Sequence, residues 1–159
     1  MLNQSGLTQT IPSSVMMMET ILTRFGEITV DVSKSMVFPR GLLGMPDKSN
    51  FVVAPFPNKK MEQFVLLQSL DDQSLSFIAL PLPVDNAIIK AQDLKNASRD
   101  VQIPETNLLS LLIVSVHRHP AGVKMSVNAR APVLIDSERR IGLQYVFQQD
   151  SYKVQHMLG

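Results

Sequence analysis

The sequence predicts an all-β, small single-domain β-barrel-like fold with one or two short helices. Short β-prone runs are separated by turn residues about every 8 to 12 positions, the rhythm of sandwiches and barrels. Only Ala91 to Arg99 has the composition of a helix. The 159 residues, 45% hydrophobic and 18% charged, amount to about one domain with enough apolar material for a core.

The elements follow in order. Ile21, Thr23 and Phe25 alternate with Thr20, Leu22 and Arg24, Gly26 punctuates, and Ile28, Val30 and Val32 alternate with Glu27, Thr29 and Asp31. This pattern predicts a hairpin with one wet face. Phe38 to Pro46 holds two prolines and two glycines, which excludes regular structure and predicts an ordered loop pinned by its Phe and Leu side chains. Phe51 to Ala54 is a short strand closed by Pro55 and Pro57, and Asn58-Lys59-Lys60 is a turn. Glu62 to Leu70 and Leu75 to Leu80 form the clearest hairpin, turning at Asp71-Asp72 and stopping at Pro81. Asp85 to Ile89 reads as one more short strand. Ala91 to Arg99 reads as a helix of about two turns without a strong amphipathic stripe. Leu108 to His117 is nearly continuous in apolar and β-branched residues, the mark of a strand buried on both faces. His119 to Gly122 turns the chain into Val123 to Val127. Val133 to Ile135 and Ile141 to Phe147 complete the set around the charged turn Asp136 to Arg140.

Composition narrows the function. Fifteen Lys and Arg against 14 Asp and Glu leave a net charge of +1, which does not suit a dedicated phosphate-backbone binder. With no cysteine, a disulfide scaffold, a thiolate metal site and a cysteine nucleophile are all excluded. The densest apolar stretch, Leu108 to Val116, is broken by Ser110 and Ser115 and is far shorter than the ~20 residues a bilayer requires. Met1 to Val15 is polar with no Lys or Arg, so it lacks the basic region of a secretory signal. Residues 1–18 read as a flexible N-terminal extension, and residues 19–158 as the domain.

Candidate chemistry is sparse. His117 and His119 share a strand face, a start toward a metal site, but closed zinc sites need four ligands and the pair sits at a strand end, so no metal is expected. Asp71 and Asp72 are adjacent carboxylates in a turn, where both are expected to be solvated and ionised rather than split into an acid and a base. There is no GxSxG elbow and no GxxxxGK[ST] loop, and Gly41-Leu42-Leu43-Gly44 lacks the lysine a phosphate cradle needs. Catalysis therefore has no visible carrier. The alternative of a small nucleic-acid-binding β-barrel meets the same difficulty. Aromatics are 6% with no Trp, and Lys59-Lys60 and Arg139-Arg140 are isolated pairs in turns.

Several motifs do fall into one order. Thr23-Arg24-Phe25-Gly26-Glu27-Ile28 leads to Phe38-Pro39-Arg40-Gly41-Leu42-Leu43-Gly44, then to Leu67-Gln68-Ser69-Leu70-Asp71-Asp72, Asn128-Ala129-Arg130-Ala131-Pro132-Val133 and Tyr152-Lys153-Val154-Gln155-His156. Across Glu19 to Leu158 this closely resembles the flagellar assembly factor FliW family. The resemblance implies a cytoplasmic, non-enzymatic β-barrel-like protein. It would bind newly made flagellin and, when released from it, bind the RNA-binding regulator CsrA and relieve its repression of flagellin translation. No cofactor, small-molecule substrate, membrane or direct nucleic-acid contact is implied.

Within that resemblance, Gly41 and Gly44 supply backbone conformations closed to other residues. Phe38, Pro39 and Leu42 belong to the same structural loop. Gln68, Ser69, Asp71 and Asp72 stand at the end of an apolar hairpin and are expected at a rim, where carboxylates would steer a basic partner such as CsrA. Asn128 is the next partner-binding candidate, its other role being to satisfy buried backbone beside Pro132. The chain departs from the family in its balanced charge and in Val154-Gln155-His156-Met157, where Val-Arg-His-Pro is usual.

Overall fold

The structure, a computed structural model, describes residues 17–159, so residues 1–16 of the expected extension lie outside the described part. Strands β1 (Met18–Thr23) and β2 (Gly26–Asp31) form an antiparallel hairpin. Its alternation sends Ile21, Ile28 and Val30 inward and leaves Thr20, Leu22, Glu27 and Thr29 exposed. Thr23 closes the turn, its Oγ1 donating to Gly26 O (2.6 Å) and accepting from Phe25 N (3.1 Å).

The remaining strands form one sheet. β3 (Met36–Val37), β4 (Asn50–Pro55), β5 (Val65–Ser69), β6 (Ser76–Leu82), β7 (Leu108–His119), β9 (Val133–Asp136) and β10 (Ile141–Gln144) pair in that circular order. β7 pairs with both β6 and β9, and β10 returns to β3 through Ile141 opposite Val37, the parallel contact that closes the ring. Closure removes free edges from the seven strands. Beyond the ring, β8 (Gly122–Val127) pairs with Val114–His119 of β7 and carries β11 (His156–Met157) on its other side.

Strand alternation builds two apolar clusters. Phe51, Leu67, Ala79, Leu111, Val133 and Ile135 gather around Phe38 and Leu42. Their strand neighbours Val52, Leu66, Ile78, Leu112 and Leu134 pack with the β1–β2 hairpin, the helix and Tyr152. Each fully buried Leu or Phe contributes roughly 1.5–3 kcal/mol of transfer free energy.

Four local expectations need correction. Pro81 does not end β6. The β5 ladder stops at Val65–Ala79, so from Leu80 onward β6 pairs only with β7, and a residue lacking N–H is tolerated on the open side. Asp85 to Ile89 is not a strand, because Asn86 Oδ1 accepts from both Ile88 N and Ile89 N (2.8 Å each) and curls the segment. Helix α1 (Ala91–Asp100) does have a buried stripe of Leu94, Ala97 and Ser98, made mostly of small residues that read as neutral in sequence. β7 is buried only in its first part, since from Ser115 it leaves the ring and its side chains are mostly exposed.

Candidate functional site

The β5–β6 turn collects four of the five expected partner-binding residues, but not as a uniform rim. Gln68 and Ser69 are 0% and 1% exposed, so neither emerges. Gln68 Nε2 donates to Ser69 O (2.9 Å) and Gln73 O (3.0 Å), and its Oε1 accepts from Ser76 Oγ across the ladder. Ser69 Oγ accepts from the amides of Asp71 (3.1 Å) and Asp72 (2.9 Å). These are buried polar groups that the turn itself satisfies.

The two carboxylates lie outside this network. Asp71 is exposed, and its Oδ2 accepts from Ser49 N (2.8 Å) and Asn50 N (2.9 Å) while its Oδ1 accepts from Asn50 Nδ2 (3.0 Å). Asp72 Oδ1 accepts from Ser74 N (3.0 Å) and Ser74 Oγ (2.7 Å). Hydrogen bonds from Asn50 hold the Asp71 carboxyl below its ordinary value, and those from Ser74 do the same for Asp72. Both shift in the same direction, so the pair is not split into acid and base. It presents two fixed negative charges. Asn128 lies at a separate turn, with its Oδ1 accepting from Ala131 N (3.0 Å) and its backbone N–H donating to Ile113 O (2.9 Å).

The Phe38–Pro46 loop stands against β10. Phe38 is fully buried with its ring 5.3 Å from Phe51, edge on, and Leu42 is buried beside it, whereas Pro39 and Arg40 are exposed. Gly41 has φ +65°, and a Cβ there would lie 2.2 Å from Met45 O. Gln144, which sequence reasoning missed, ties the loop to the ring by accepting from Leu43 N and donating to Ala131 O, both at 3.0 Å.

Elsewhere, His117 Nε2 lies 2.8 Å from Ser126 Oγ and His119 is exposed at the end of β7. Among the described residues no third His, Cys, Asp or Glu joins them into a metal-binding group. Lys59 and Lys60 sit in a 3-10 turn capped by Asn58, whose Oδ1 accepts from Lys60 N (3.0 Å). Asp136, another missed residue, is buried and accepts from Glu138 N and Arg139 N (3.0 Å each). An Asp opening a charged turn is the signal that could have found it. No described helix is long and apolar enough to cross a membrane.

A family model described as FliW protein matches residues 19–158. The chain belongs to the FliW family. It is 31% identical over 135 residues to flagellar assembly factor FliW 2 of Desulfotalea psychrophila, covering 85% of this chain and 87% of that protein. It is 29% identical to flagellar assembly factor FliW of Syntrophotalea carbinolica, covering 89% and 99%. A crystal structure of the flagellar assembly factor FliW superposes with a TM-score of 0.62 at 22% identity, covering 87% of this chain and 96% of that one, which establishes the shared fold. The family is one of flagellar assembly factors, and the motif order read from Thr23 to His156 falls within the matched span.

Proposed function

We propose that this protein binds flagellin in the cytoplasm and, when free of it, binds the translational regulator CsrA and relieves repression of flagellin synthesis, without catalysing a reaction. Membership of the family across residues 19–158 is the observation that carries this reading. The geometry supports it through Asp71 and Asp72, two ionised carboxylates fixed at one turn, which suit electrostatic steering of a basic protein. Asn128 is retained as a secondary contact, and Gln68 and Ser69 serve the site by shaping the turn.

The experiment has two arms. Purified flagellin is passed over the immobilised chain, and retention is expected; flow-through without retention sinks the flagellin half. A complex of CsrA with its leader RNA is then titrated with the chain, and RNA release is expected, weakened by Asp72→Lys. Asp72 is the better probe because its bonds go only to Ser74 in the same turn, whereas Asp71 holds the Ser49 and Asn50 amides of a neighbouring segment. If RNA stays bound at saturating chain, the CsrA half fails.

A further inference from the structure

A hollow of about 450 Å³ opens between the Pro39–Leu43 loop and β10, with Val101 at the end of α1 on its far side. A smaller hollow of about 60 Å³ shares Val101, Ile141 and Leu143 with it and ends at Asp136 and Arg139. The three shared residues make these one groove with apolar walls. Leu43 and Ile141 form its lips at 58% and 41% exposure.

The groove is preformed. Gln144 anchors one wall and the crowded Gly41 shapes the loop. Gln102 lines it with a positive φ (61°), and Arg140, the other non-glycine residue with positive φ among the described residues (56°), stands in the chain between the lining residues Arg139 and Ile141. Such strain concentrates at functional sites.

Charge states the partner. Arg40 is exposed on the groove and forms no ion pair among the described residues. Arg139 rests its Nε 3.7 Å from Asp136 Oδ2, and Asp136 is 2% exposed. Its terminal guanidinium nitrogens have no hydrogen-bond partner among the described residues and its side chain is exposed, so the fork is free to pair with an incoming carboxylate. We infer that this groove docks an apolar side chain of a polypeptide partner whose flanking residues are acidic, the carboxylates pairing with Arg40 and Arg139. A basic partner is disfavoured here and suits the Asp71–Asp72 turn, which shares no residue with the groove. The inference rests on the flagellin reading above, so flagellin is the probe.

Flagellin affinity is measured for the full chain, for Leu43→Asp and for Arg40→Gln with Arg139→Gln, with circular dichroism and urea unfolding as folding controls. Each variant is expected to bind about tenfold or more weakly. The double arginine variant should also lose salt dependence. Folded variants that bind within about twofold of wild type overturn the inference and leave the flagellin reading standing. If the unmodified chain fails to bind flagellin, both fall. Should Leu43→Asp fail to fold, the arginine variant decides, because both side chains are exposed.

Discussion

The ring of Phe38 fills the space that a side chain on Gly142 would need, since a Cβ at Gly142 would lie 2.5 Å from Phe38 Cζ. Phe38 is fully buried against Phe51 and has little room to yield. Gly142→Ala is therefore expected to destabilise the fold by about 1–3 kcal/mol through overpacking, measured by urea unfolding. Phe38→Leu combined with Gly142→Ala should lose less than the sum of the two single changes. Strict additivity would show that the two residues are not coupled.

Gly41 and Gly44 both have positive φ, +65° and +83°, but only Gly41 is crowded. Gly44→Ala should cost about 1–2 kcal/mol, the strain of a left-handed alanine in open space. Gly41→Ala adds a clash with Met45 O and Pro46 and should cost more. Equal losses in urea unfolding would contradict the loop geometry.

Acid stability should depend on Asp31, Asp71 and Asp72. Hydrogen bonds from Ser33, Asn50 and Ser74 respectively hold these carboxyls below their ordinary 3.8. Between the lowered and ordinary values the unfolded chain binds more protons, so stability rises with pH through that window. The contribution is fully present above the ordinary value and is lost as pH falls through the lowered ones. Asp71→Asn should flatten this acid limb in unfolding experiments across pH, and an unchanged limb would remove Asp71 from the account.

Both tyrosines of the chain clip α1, one near each end. Tyr152 Oη accepts from Lys90 N (3.1 Å) and donates to Asp93, supplying a cap where Lys90 has no side-chain bond of its own. Tyr145 Oη donates to Asp100 Oδ2 (2.6 Å), steadying an acidic residue at the helix end where the dipole disfavours it. Tyr152→Phe is expected to lower stability by about 0.5–1.5 kcal/mol.

The same contacts predict an alkaline signature. Burial first and the bond to Asp93 second raise the Tyr152 phenol above its ordinary 10, and the bond to Asp100 does most to raise Tyr145. A raised phenol stabilises the fold below pH 10, and that contribution is lost as pH climbs through the folded value. Absorbance titration should show neither phenol ionising at its ordinary value while the chain is folded. A normal titration of both would refute the clips.

The sequence by itself determined the class of fold, the β1–β2 and β5–β6 hairpins, the pinned loop and the family, because alternation, turn chemistry and motif order act over a few neighbouring residues. It also placed Phe38, Leu42 and the Asp71–Asp72 turn correctly along the chain. Only the tertiary structure decided that Gln68 and Ser69 face inward, since a strand face is buried or wet according to what covers it. Pro81 was admitted to β6 by where a neighbouring ladder ended, and α1 was capped by a tyrosine 62 residues away. Ring closure through Val37 and Ile141, and the groove beside it, likewise join distant segments. Such contacts leave no local periodicity to read, because their energy comes from surfaces that meet only after the chain has folded.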